Sequence, residues 1–170
     1  MAGTASSISI CYEQPLTKPV RLFLRFEQLV ERFRVGASGE SSTESHIALL
    51  ALLDLYQHGM HVDLKAEVLR EIDRSLGVIN RSDEVSTSYP PDQLLEARSA
   101  LEQGVEATNR IHGQLGSKLK NHHFFNLIRQ RITMGGGVNS FDLPIYHLWM
   151  VKQPEERRTL LEDWAKPYLD

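Results

Sequence analysis

Arg21, Arg25, Gln28 and Arg32 follow one another at intervals of four, three and four residues. On an α-helix that spacing stacks side chains along one stripe. Three guanidiniums in such a row offer forked, permanently charged donors to carboxylate or phosphate oxygens. The segment Thr17–Arg34 adds Lys18 and Arg34, against only Glu27 and Glu31. A second cationic stretch lies further on. From Ala107 to Phe141 there is no Asp or Glu, while Arg110, Lys118, Lys120, Arg129 and Arg131 all occur. The chain as a whole carries a formal net charge of −3, so its acids are gathered elsewhere. Segregation of this kind marks a surface that attracts anions. His123 lies within the acid-free run and His147 just beyond it; histidine changes charge near neutral pH.

Other chemistries find less support. Seven histidines are present, yet none forms a His-x-x-x-His pair on one helix face with a carboxylate nearby, so no metal site is expected. Cys11 is the only cysteine; it allows no intrachain disulfide or thiolate-clustered zinc, and a reducing cytoplasmic setting fits. The stretch "MGGG" at Met134–Gly137 lacks the Gly-x-x-x-x-Gly-Lys-Ser/Thr spacing and follows no strand, so it is not a phosphate loop. Its glycines are expected to supply positive φ where one helix ends and the chain turns into the next. Asp142 reads as an N-cap, with no base or nucleophile to make it catalytic. No enzyme, cofactor or metal is expected.

The elements that must position the cations are mostly helical. Leu22, Phe26, Leu29, Val30 and Phe33 give a helix from Thr17 to about Val35 an apolar face, with Thr17 as N-cap. "GASGESS" reads as a loop. Ser42 or Thr43 caps a second helix through Ile47, Leu50, Leu53 and Tyr56, stopped at Gly59. Asp63 caps a third, running to about Leu76. Pro91 opens a fourth after the linker "NRSDEVSTSYPP", and Gly113 and Gly116 break it. Asn121 caps a fifth helix, a short one follows Asp142, and a last begins at Pro154. Ser7–Glu13 alternates Ile8, Ile10 and Tyr12 with Ser9, Cys11 and Glu13, the period of a strand. A lone strand needs a partner for its backbone groups, and no other segment reads as one. No stretch approaches the roughly 18 to 20 apolar residues that span a bilayer, and the first residues do not read as a secretory signal.

Two stretches, "YEQPLTKPVRLFLRFEQLV" at Tyr12–Val30 and "LIRQRITMGGGVNSFDLPIYHLWM" at Leu127–Met150, resemble the ZapD family of bacterial division proteins. In that family they read as an aromatic-Glu-x-Pro-Leu start, a Leu-Arg-hydrophobic-Glu helix, Arg-Gln-Arg, a Gly-Gly pair and Ser-Phe-Asp-Leu-Pro-x-x-His-x-Trp. The resemblance implies a mainly α fold. Residues 1–14 would be an N-terminal segment or strand, and residues 15–170 a helical, bundle-like domain. The strand would join a C-terminal β domain that this chain lacks.

It further implies a cytoplasmic homodimer at the mid-cell division ring, binding the C-terminal tail of FtsZ and cross-linking its filaments without catalysis, nucleic acid or membrane. The tail-binding pocket of the family would fall on Arg25 and His147, with Arg21, Arg129 and Arg131 adding charge. Where family members can carry an intermediate Arg this chain has His123, flanked by His122. The pocket is expected to bring Arg25, Arg129, Arg131 and His147 together over a floor of Phe141 or Tyr146. A different reading of the same cations is a nucleic-acid-binding helical module, against which the acidic remainder would repel a polyanion.

Overall fold

The computed structural model describes residues 12, 14–61, 63–81, 89–111 and 115–169, and among them eight helices and no strand. The strand expected over Ser7–Glu13 lies outside the described residues except for Tyr12, which is exposed. We number the helices α1 (Lys18–Ser38), α2 (Ser42–His61), α3 (Leu64–Arg81), α4 (Pro91–Arg110), α5 (Ser117–Lys120), α6 (His123–Thr133), α7 (Pro144–Met150) and α8 (Pro154–Leu169).

α1 begins as its sequence dictates: Thr17 Oγ1 accepts from Val20 N at 3.5 Å, and Pro19 occupies the first turn. Leu29 and Phe33 of its apolar face are buried, with Phe26 and Val30 packed beside them. α1 continues through Gly36 to Ser38, beyond the expected end. Gly36 is no stop signal here but a crossing point. A β-carbon on it would lie 2.7 Å from Ala48 N and 2.8 Å from Glu44 O, so only hydrogen lets α1 and α2 approach this closely.

The turn between them is fixed by a capping box one residue earlier than expected. Ser41 Oγ accepts from Glu44 N at 3.1 Å, and Glu44 Oε2 accepts from Ser41 N at 3.0 Å. Ser41 Oγ also donates to Glu44 Oε2 at 2.6 Å, and this bond, with the one from Ser41 N, holds the exposed Glu44 carboxyl below its ordinary range.

α2 is apolar on most sides, and Ala48, Leu49, Leu52, Leu53, Leu55 and Tyr56 are all buried. It packs against α1, α7 and α8 and forms the centre of the fold. Gly59 stays inside α2 and does not end it; a β-carbon there would meet Leu115 and the Tyr168 ring at ordinary van der Waals distance. α3 and α4 pair mainly with each other. Asp63 caps α3 through Ala66 N at 3.1 Å, as its sequence signals. α6 is capped by His122 Nδ1, not Asn121, because Asn121 still belongs to the preceding turn.

The start of α8 is the main tertiary anchor. Arg157 is only 4% exposed. Its Nε donates to Ser45 Oγ at 2.9 Å and its two terminal nitrogens donate to the carbonyls of Glu40, Met150 and Lys152. Arg158 beside it donates to Ala37 O and Ser38 O, satisfying the last carbonyls of α1 with a cation.

Two substitutions test this account by urea unfolding. Gly36→Ala gains helix propensity worth up to about 1 kcal/mol, yet is expected to destabilise by about 1–3 kcal/mol through overpacking. Arg157→Met is expected to cost at least about 2 kcal/mol, since it strands buried carbonyls. Unchanged midpoints would overturn both assignments.

Candidate functional site

The stripe of Arg21, Arg25, Gln28 and Arg32 forms the wall of a large open groove. Leu24 of α1 and Asp54 of α2 line it as well. Tyr12 and Pro15 border it from the segment preceding α1. The groove is open to solvent and encloses about 1020 Å³. α1 turns its apolar face to α2, and its polar stripe is left exposed along the groove.

Charge pairing separates this surface from the rest. On α3 and α4 the cations Arg70, Arg74, Arg98 and Arg110 each reach a Glu three or four residues away. Among the described residues no ion pair engages Arg21, Arg25 or Arg32 of the groove, nor Arg129 or Arg131. Among the described residues the groove arginines are therefore exposed donors without an ion-pair partner, available to an external carboxylate.

The other expected site residues lie on α6 and α7. Arg129 places its guanidinium carbon 5.6 Å from the centroid of the Tyr56 ring. Arg131 is half-buried on the same helix, and His123 is exposed at its start. His147 is exposed on α7. The lining of the α1 groove includes none of His123, Arg129, Arg131 or His147. Of the two residues expected as an apolar floor, Phe141 is 84% exposed and Tyr146 is buried in the core.

The turn that carries His147 follows local rules. Gly135 and Gly137 take φ of 74° and 66°, the left-handed conformation expected of the "MGGG" stretch. Asp142 does not cap α7. Pro144 pushes the residue before it into extended backbone, so Leu143 (φ −127°, ψ 92°) becomes the N-cap and Asp142 falls one place too early.

α7 is held from beneath by aromatic packing. Phe124 of α6 lies 5.7 Å from Trp149 and stacks at 5.4 Å on Trp164 of α8. The Tyr146 hydroxyl lies 2.7 Å from His46 Nδ1 of α2. Burial pushes the His46 imidazole below its ordinary value and the Tyr146 phenol above its own. Both therefore stay neutral, and the phenol is placed to donate to the ring. Sequence reading missed His46, since a histidine near the start of a helix looks exposed.

No group of three or more His, Cys, Asp or Glu that could hold a metal occurs among the described residues. None of the described helices is long and apolar enough to cross a membrane.

Comparison with known proteins agrees with these patterns. The family model ZapD, a cell division protein, matches residues 24–170. The cell division protein ZapD of Aromatoleum aromaticum is 31% identical over 164 residues, covering 94% of this chain and 62% of the relative. That of Nitrosomonas europaea is 32% identical over 161 residues, covering 94% and 60% respectively. That of Dechloromonas aromatica is 32% identical over 164 residues, covering 94% and 63%. The chain thus spans about three-fifths of the length of these relatives.

The His46 geometry has a measurable consequence. A folded-state pKa below the ordinary value near 6.5 means the unfolded chain takes up the proton more readily. This contribution to stability is intact above that value and is lost as pH falls through it. Unfolding free energy is expected to drop between about pH 7.5 and about pH 5, and His46→Gln is expected to flatten part of that slope. A variant whose pH dependence matches wild type would show that the slope has another source.

Proposed function

This chain belongs to the ZapD family of cell division proteins, and we propose that it binds the C-terminal tail of FtsZ and, as a dimer, cross-links FtsZ filaments. It then acts at the cytoplasmic face of division, in the mid-cell ring, by binding and not by catalysis. The observation that carries this reading is the row of unpaired arginines, Arg21, Arg25 and Arg32, along the open α1 groove. His123, Arg129, Arg131 and His147 belong to the same reading as contributors from α6 and α7. They add local positive charge on α6 and α7 without lining that groove, and local charge complementarity raises the rate of encounter with an acidic segment.

The physical account is one of weak sites used in pairs. A flexible tail loses conformational entropy when it is ordered, so a single site binds modestly. A micromolar dissociation constant corresponds to about −8 kcal/mol. Each charge-assisted hydrogen bond contributes roughly 1.5–3 kcal/mol of this. Cross-linking requires two tails held at once, so a loss at each site is multiplied in the bundle.

Arg25 is the residue to test, because it is exposed and makes no ion pair among the described residues, so its replacement is expected to leave the fold intact. Arg25→Glu is expected to weaken binding of an FtsZ tail peptide about ten- to a hundredfold and to abolish filament bundling by the longer protein in pelleting and light scattering. Arg70→Glu on α3, exposed and far along the chain from the groove, serves as the control for net charge. Equal losses from both variants would reduce the effect to general electrostatics, and bundling by folded Arg25→Glu at the wild-type level would remove α1 from the tail site.

A further inference from the structure

The α1 groove is not uniformly basic. Glu27, Glu31 and Asp54 line it together with Arg21, Arg25 and Arg32. Six charges of both signs thus share one open space, and none of the arginines lies within 4.0 Å of any of the carboxylates.

The spacing along α1 explains how they stay apart. Glu27 and Glu31 stand four residues apart, as do Arg21 and Arg25. These are like-charge pairs at the distance where helical neighbours meet, which is mildly destabilising. None of the three groove arginines stands three or four residues from a glutamate. α3 and α4 do the opposite, setting Glu67 with Arg70, Glu71 with Arg74 and Arg98 with Glu102 at pairing distance. α1 thus keeps both signs of charge separate and unsatisfied, and Asp54 adds a third carboxylate from α2. All of these side chains are exposed, so each is available to a ligand.

We infer that the groove selects a peptide segment of mixed charge, seating acidic side chains on Arg21, Arg25 and Arg32 and a Lys or Arg side chain against Glu27, Glu31 and Asp54. This rests on the reading that the groove binds the FtsZ tail, and it names what within such a tail is recognised. A groove of about 1020 Å³ has room for several side chains of an extended segment. The carboxylates serve a second purpose, because they oppose any ligand that offers only negative charge. A polyanion such as duplex DNA must place phosphates beside Glu27, Glu31 and Asp54, and specificity rests on such repulsion as much as on attraction.

The test uses fluorescence anisotropy with this chain and three probes: the FtsZ C-terminal tail peptide, the same peptide with every Lys and Arg replaced by Gln, and a short DNA duplex. The proteins are wild type, the triple variant Glu27→Gln/Glu31→Gln/Asp54→Asn, and Asp54→Asn alone in case the triple variant melts early by circular dichroism. Wild type is expected to prefer the native tail over the Gln version by about tenfold, the scale of one charge-assisted contact. The triple variant is expected to lose that preference and to bind DNA about tenfold more tightly, with Asp54→Asn intermediate on both measures. A wild type that binds neither peptide overturns the tail-binding reading itself. A wild type that binds both peptides equally, or a folded triple variant that keeps the preference, overturns this inference alone.

Discussion

A single buried guanidinium sets the frame on which the other contacts rest. Arg157 carries its charge into the interior without a carboxylate to meet it; Ser45 Oγ and three main-chain carbonyls take its protons instead. A charge so placed is tolerable only when its donors are satisfied, since stripping even one partner leaves a buried polar group uncompensated. The requirement fixes three pieces of chain at once: the α1–α2 connection at Glu40, the first turn of α2 at Ser45, and the corner from Met150 to Lys152 that joins α7 to α8. With that corner fixed, Trp149 meets Phe124 and Tyr146 meets His46, so the surface of α7 that presents His147 is positioned from within.

Three uses of cations contrast within this fold. Arg157 and Arg158 commit theirs to backbone carbonyls and so to architecture. The α3–α4 hairpin pairs arginine with glutamate along each helix surface, where exposed pairs contribute only a few tenths of a kcal/mol. α1 leaves its arginines unengaged beside an open groove. The contrast between the second and third uses gives functional meaning to α1, because all of these helices are exposed and similarly charged.

Periodicity alone makes the helices and the Arg21–Arg32 stripe legible, since a repeat of three and four residues constrains a helix face directly. Membership of the family is legible in two short strings for a similar reason: they contain local turn chemistry such as the paired glycines and Pro144. Sequence reasoning fails at residues with more than one use. Gly36 and Gly59 look like helix ends, yet both stay helical, and at Gly36 the backbone of α2 takes the space of the missing side chain. Arg157 in "PEERRT" looks like any exposed helical cation, and nothing local distinguishes it from Arg158. Which cations share a groove is also beyond its reach, because the groove's lining is drawn from more than one helix, and packing rather than spacing along the chain decides which residues meet.

α4 carries a consequence on a slower timescale. Of its twenty residues only Thr108 is buried, and its principal neighbour is α3. The free energy of a local opening follows the apolar surface and hydrogen bonds it exposes, so proteins open in units of very different stability. Detaching α4 exposes little, whereas loosening α2 exposes the centre of the core. Backbone amides along α4 therefore exchange with solvent through partial openings, while those of α2 wait for the whole domain to unfold. Because α1 is seated on α2, the wall of the groove rests on the part of the described fold whose loosening exposes the centre of the core.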